Sequence, residues 1–368
     1  MTPAPPPRVL VVAGTRSEAI KVASPIWGLR EHGRLVPVIC ATGQHVRPLL
    51  DTLETLDIPP DVVLPALSDD GGLAGRLGPA CRCLGCGYSA LFASCDPCPG
   101  AALAGAFASF YAGVPVAHIE AGLRTDQRHT PWPEEAHRRI ITSLASLHYA
   151  PTDEARQNLE DERISTECIV VTGNTAIDAL HVMLERLGPC EESERPMVLV
   201  LLHRREHLVG PAVGMFQAIA SLARRYPAME FLCLMHENPQ VAQVARAGLE
   251  NDHPPNLLLQ PACPYPEFVG LLARSRLIMT DSGGIQDEAP ALGKPLLVLE
   301  DTTARAEAIR AGSARLVGTR PDTIRLGFAA VFEDAQAMAE MAVKRQIYGD
   351  GRAGERIARH LAQRVLGR

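Results

Sequence analysis

Two glutamates stand where a chain that moves protons would need them. Glu120 closes the apolar run PVAHIE, and Glu134 begins the helical stretch after PWP. Paired carboxylates serve as general base and general acid when their surroundings separate their proton affinities. A glutamate at a helix start is also an ordinary partner of the helix dipole, which accounts well for Glu135. Glu120 is different: a carboxylate capping a buried strand needs a partner or a task. A second group of residues suits anions. Ser282, Gly283 and Gly284 in TDSGGIQDEAP stand between a short strand and a helix, where unpaired N–H groups suit a phosphate oxygen. Two acids follow in what reads as the first turn of that helix, and Glu288 suits the two hydroxyls of a ribose. His203, Arg204 and Arg205 end another apolar run, His236 ends a third, and Arg305 follows a fourth. A histidine at a strand end is often only a hydrogen-bonded wall residue. Gly14, Arg16 and Lys21 suit an anion too, though a tight turn with solvated charges reads equally well.

The elements that must hold these residues alternate along nearly the whole chain. RVLVVAG, LVPVICA, PVAHIE and CIVVTG read as strands buried on both faces, as do MVLVLLH, MEFLCLM, NLLLQ, RLIMT and PLLVLE. Helical patterns such as EAIKVASPIWGLREHG and AVGMFQAIASLARRYP separate them. That alternation predicts parallel sheets with right-handed crossovers, and the strand number predicts two sheets. The polar stretch Leu184–Arg195 is the expected link, with ligands beyond the carboxyl ends of the strands.

Bulk properties narrow the function classes. With 368 residues, 46% apolar and 21% charged, the composition is that of a soluble two-domain globular protein. A formal charge of −6 argues against nucleic acid or an anionic membrane as partner. No apolar run is long enough to span a bilayer, and MTPAPPPR lacks the apolar middle of a signal peptide, so a cytoplasmic protein is expected. Of the ten cysteines, five fall between Cys81 and Cys98, which is no disulfide framework.

Taken together, GTRSEAIK, TGQH, FYAGVPVAHIEAGLRT, PWPEE, VTGNTAIDAL, HRRE, DSGGIQDEAPALGKP, DTTARAEA and IYGDG resemble, in order and spacing, the non-hydrolysing UDP-N-acetylglucosamine 2-epimerases. The resemblance covers nearly the whole chain. It implies an α/β fold of two Rossmann-like, doubly wound parallel-sheet domains facing across a cleft, the glycosyltransferase-B arrangement. The expected domains are residues 1–183 and 184–351, with the helix of 352–368 crossing back onto the first. It implies interconversion of UDP-GlcNAc and UDP-ManNAc through elimination and re-addition of UDP, for surface polysaccharide, by a homodimer with no nicotinamide cofactor and no catalytic metal.

Carried over by motif, Arg16, His203, Ser282, Gly283 and Gly284 would hold the diphosphate. Glu288 would take the ribose, Phe268 would border the uracil, and Arg305 would reach toward phosphate or sugar. Lys21, Glu120 and Glu134 would lie near the sugar ring, with His203 counted in the catalytic set. Gln44, Arg204 and His236 match a regulatory UDP-GlcNAc pocket of the family.

One block departs from the pattern. Where the family has a strand ending in Gly-Asp-Thr, with a catalytic aspartate, this chain has CRCLGCGYSALFASCDPCPG. The aspartate's place falls on Cys98, with Asp96 two residues away, and Pro97 and Pro99 would distort a strand end there. A zinc ribbon through Cys83, Cys86, Cys95 and Cys98, a diverged loop with Asp96 in the usual role, and a local reading-frame slip are the three readings; slip or divergence is favoured over zinc. Glu300 also stands where an arginine is common, and Ala306 where proline is usual. The rival functions are a hydrolysing relative that releases ManNAc and UDP, and a nucleotide-sugar-binding protein without turnover.

Overall fold

The computed structural model describes residues 5–43, 46–66, 90–94, 100–189, 195–208, 210–236, 239–249 and 253–367. They divide into two compact units, one of Met1–His181 with Tyr348–Arg368, the other of Val182–Ile347. The polar stretch expected as a link starts inside a helix, Thr175–Leu187, and the division falls within that helix.

The first unit is built on seven strands: β1 (Arg8–Ala13), β2 (Val36–Gly43), β3 (Val62–Ala66), β4 (Ala90–Ser94), β5 (Val116–Ile119), β6 (Leu147–Ala150) and β7 (Ile169–Val171). Their order is β3-β2-β1-β4-β5-β6-β7, and every pairing is parallel. Helices cover both faces of such a sheet, which is why β1 and β5 read as unbroken apolar runs. Leu10, Val12, Leu91, Leu103 and Ile141 lie in one core cluster. The strand order reverses between β1 and β4, the switch point at which open α/β sheets bind ligands. β4 lies inside the stretch whose composition departs from the family. ALFAS still forms the central strand, with Leu91 fully buried beside Leu10. The prolines expected to distort it lie outside the described residues.

Helix Arg16–His32 follows β1 directly. Thr15 caps it, its hydroxyl accepting from Glu18 N at 3.3 Å, and Gly33 ends it at φ 72°. The C-terminal helix Ala353–Leu366 belongs to the same unit. It lies so close to Arg16–His32 that a Cβ on Gly28 would stand 2.5 Å from the Gly354 carbonyl oxygen. The Asp178 carboxylate accepts from Ala353 N at 3.1 Å and Gly354 N at 2.8 Å, satisfying the first N–H groups of that helix. Ile357 and Leu361 are buried on its inner face, each stabilising by roughly 1.5–3 kcal/mol.

The second unit has six strands: β8 (Met197–Leu202), β9 (Glu230–Met235), β10 (Leu257–Pro261), β11 (Leu277–Thr280), β12 (Leu296–Val298) and β13 (Ala314–Leu316). Their order is β10-β9-β8-β11-β12-β13, again all parallel, with the reversal between β8 and β11. Phe216, Phe231 and Phe328 lie in its core cluster. Strands β3, β4, β6 and β13 were not among the runs read as strands. Each is three to five residues long.

Candidate active site

In the first unit the reactive side chains gather where β1 and β5 end. Glu120 is the residue after β5, and its backbone sits in the left-handed region at φ 61°. For a residue with a Cβ that costs about 1 kcal/mol, which the surroundings must hold in place. Two partners do so. Lys21, one turn into helix Arg16–His32, forms an ion pair with Glu120 Oε2, and both side chains are buried. Asn174 donates from Nδ2 to Glu120 Oε1 at 3.1 Å. Asn174 is itself fixed, because its side-chain oxygen Oδ1 accepts from Ala176 N at 3.0 Å as the helix Thr175–Leu187 begins. The structure therefore supplies a carboxylate with one charged and one neutral donor, a setting suited to a proton acceptor of fixed orientation.

Glu134 opens helix Glu134–Leu144 and is buried. Its neighbour Glu135, fully buried, accepts from Thr125 N at 3.2 Å and from Arg139 Nε at 2.9 Å, so it ties the preceding loop to the helix. Arg16 is half-buried at the first position of its helix. Glu18, which the sequence reading passed over, is fully buried beside the β1 turn. Its carboxylate accepts from Gly14 N at 2.6 Å, and burial pushes its pKa up to about 8. The Thr15-x-x-Glu18 spacing was the available signal, that of a capping box.

In the second unit the site lies at the strand-order reversal. β11 ends at Thr280, and helix Gly283–Leu292 begins after Ser282, whose side chain makes no capping hydrogen bond. A Cβ on Gly284 would meet nothing within 4 Å, so an anion has open approach to that backbone. Gly283 is glycine for another reason: a Cβ there would stand 2.5 Å from an Arg305 guanidinium nitrogen. Arg305 is buried and reaches Asp287 twice, Nε to Oδ1 at 2.7 Å and Nη2 to Oδ2 at 3.0 Å. The helix start at Gly283 puts Asp287 and Glu288 in the second turn, correcting the expectation of two acids in the first. Glu288 is buried, with the Tyr265 hydroxyl donating to Oε1 at 3.3 Å.

His203 follows β8 and is half-buried, and its ring stacks on that of His236, centroids 5.5 Å apart at 14°. His236 is exposed. Arg204 was expected to serve a regulatory pocket. Its side chain is turned inward: Nε donates to the Asp281 carbonyl oxygen at 2.7 Å, and the guanidinium pairs with Glu206 and Glu300. Burial pushes Glu300 up to about 7 despite Arg204 beside it. The carboxylate at position 300 gives Arg204 this inward partner. Phe268 is half-buried on helix Tyr265–Arg274. Sequence reasoning missed Asp281 and Asn174 as well as Glu18. Each lies inside a motif that was read for its other residues.

Gln44 and Asp96 lie outside the described residues, as do Cys83, Cys86, Cys95 and Cys98 of the zinc reading. Among the described residues no group of three or more histidine, cysteine or acidic side chains could hold a metal ion. No helix among them is long and apolar enough to cross a membrane.

Three comparisons bear on this arrangement. The family model described as UDP-N-acetylglucosamine 2-epimerase matches residues 28–362. A relative named UDP-N-acetylglucosamine 2-epimerase, from Neisseria meningitidis, is 37% identical, with 96% of this chain and 99% of the relative covered. The crystal structure of UDP-GlcNAc 2-epimerase from Neisseria meningitidis bound to UDP-GlcNAc superposes with a TM-score of 0.91 at 36% identity, covering 97% of this chain and 100% of that one. That of Methanocaldococcus jannaschii UDP-GlcNAc 2-epimerase in complex with UDP-GlcNAc and UDP gives 0.84 at 26% identity, covering 96% and 99%.

Proposed function

Because the chain belongs to the UDP-N-acetylglucosamine 2-epimerase family, we propose that it interconverts UDP-GlcNAc and UDP-ManNAc without releasing free sugar. Glu120 takes the proton from C2 as the C1–O bond to UDP breaks, leaving 2-acetamidoglucal and UDP. A proton then returns to the other face of C2 from Glu134, and a UDP oxygen re-forms the bond to C1. Lys21 and Asn174 keep Glu120 oriented between turnovers. Departure of UDP places negative charge on the diphosphate, which oriented N–H groups and cations stabilise most as it develops. His203, Arg16 and the helix start at Ser282, Gly283 and Gly284 meet that charge. Arg305 braces that turn from beneath Gly283, Glu288 accepts from the ribose hydroxyls, and Phe268 borders the uracil.

The observation that carries this reading is the buried Lys21–Glu120–Asn174 group. It holds a strand-end carboxylate in a left-handed backbone conformation, which packing alone does not require. In D2O, UDP-GlcNAc should yield UDP-ManNAc carrying deuterium at C2, read by proton NMR. Glu120→Gln should lower exchange by at least about 1000-fold while UDP affinity by calorimetry stays within about threefold. Free ManNAc with UDP as the products would establish the hydrolysing alternative. UDP binding with no deuterium uptake would establish a binding protein, the reading favoured by Cys98 standing where the family has its aspartate. The same reading puts the enzyme in the cytoplasm as a homodimer that feeds surface polysaccharide synthesis. A monomer mass in sedimentation at micromolar concentration would end the dimer part of it.

A further inference from the structure

Asp281 is fully buried, and nothing in the proposed chemistry uses it. Four donors converge on it. His203 N reaches Oδ1 at 3.0 Å and Arg204 N reaches Oδ2 at 3.1 Å. His203 Nδ1 lies 3.2 Å from Oδ1, and His207 Nδ1 lies 3.0 Å from Oδ2. Burial by itself would raise this carboxyl, but the hydrogen bonds and charges of the two histidines together hold it far below the usual carboxylate range. An ionised carboxylate only accepts. Both Nδ1 atoms that face it must therefore carry protons, and this fixes the tautomer by donor accounting.

We propose that Asp281 is a positioning residue for the reaction: it anchors the main chain and the Nδ1–H of His203 together, so that Nε2 is the ring nitrogen presented to the departing diphosphate. The proposal rests on the epimerase reading for the identity of that anion. A doubly protonated His203 gives Nδ1–H to Asp281 and Nε2–H to a phosphate oxygen, with Asp281 as its counter-charge, and no proton is gained or lost in the step. The stacked His236 ring limits tilt on one side. His207 takes the other carboxylate oxygen. Among the described residues, Arg204 and Glu300 are charged groups near Asp281, and they pair with each other.

Asp281 also joins the end of β8 to that of β11, so the test must separate support of the fold from positioning. In nitrogen-15 histidine spectra of the full chain, His203 should show a protonated Nδ1, and Asp281→Asn should remove that signature. With UDP-GlcNAc, Asp281→Asn should lower kcat by at least about 100-fold, with KM within about threefold, the effect expected when a histidine loses the acid that orients it. The double variant Asp281→Asn/His203→Asn should be no slower than His203→Asn alone, because a residue that acts through another adds nothing once that other is gone. Additive losses, or kcat for Asp281→Asn within threefold of the parent, would overturn the proposal. So would a wild-type His203 carrying its proton on Nε2 only, a measurement that decides the matter even if Asp281→Asn fails to fold. Absence of epimerisation by the wild-type chain would sink the epimerase reading instead, and the histidine spectra would still judge the Asp281–His203 link.

Discussion

Glu18 and Asp281 are both fully buried carboxylates, each beside the point where its own sheet reverses strand order, and they ionise in opposite directions. Burial pushes Glu18 up to about 8, whereas Asp281 is held far below the usual carboxylate range. Loss of water is the largest influence on each, so burial does not distinguish them. Donors do. Glu18 receives main-chain N–H groups from Gly14 and Thr15 and, at 3.4 Å, one hydroxyl, but no charged donor; its Oε1 makes no hydrogen bond, and Lys21 is committed to Glu120. Asp281 receives two main-chain N–H groups and two imidazoles. The first unit thus keeps a neutral acid and a paired base near its turn, a proton inventory. The second keeps fixed charge and aimed donors, an anion inventory.

That contrast can be broken at its strongest point by Lys21→Met. It leaves Glu120 buried with Asn174 but without its cation, and turnover should fall at least about 100-fold while UDP affinity by calorimetry changes less than threefold. A comparable loss of UDP affinity would mean that the first unit also holds the diphosphate. The mirror experiment is Arg305→Met, which strands Asp287 in the second unit. Loss of one partner of a buried pair destabilises by about 3 kcal/mol. UDP affinity should fall roughly tenfold as the turn at Gly283 loosens. An unchanged UDP affinity would reduce Arg305 to a structural brace.

The smallest effect sharpens the comparison by its sign. A glutamate whose folded pKa lies above its unfolded one binds its proton more tightly when folded. The stabilisation from Glu18 is therefore complete below about pH 4.5 and is lost as pH rises toward about 8. Glu18→Gln should flatten that decline, seen as hydrogen exchange in helix Arg16–His32 that no longer quickens between pH 5 and 8. For Asp281 the sign reverses: its stabilisation is present above the usual aspartate range and is lost only as pH falls below it. Helix Gly283–Leu292 should accordingly show no such quickening in the same window. A decline in both helices would mean that net charge, not Glu18, sets the trend.

Much of the site was legible in the chain because strand ends in parallel sheets are where polar residues interrupt apolar runs. Glu120, His203 and Ser282 announce themselves in that way. Asp281 did not, since an acid before Ser-Gly-Gly reads as part of the turn, and its four donors come from residues about 75 positions away. Asn174 and Glu18 stand at helix starts, where a capping role is ordinary. The first also holds Glu120, and the second carries a raised pKa that no local pattern reveals. Arg204 was matched by motif to a regulatory pocket; its pairing with Glu300, nearly a hundred residues later, is visible only in the fold.

Sequence alone determined the α/β class, the parallel sheets, the kinds of residue at their carboxyl ends and the family, since all of these are written in local period and motif order. Only the folded chain decided which carboxylate holds a proton, which histidine nitrogen is committed and which arginine is already paired. Those properties depend on how many donors surround a group once water has been removed, and donors brought from distant segments are counted only when the strands lie side by side.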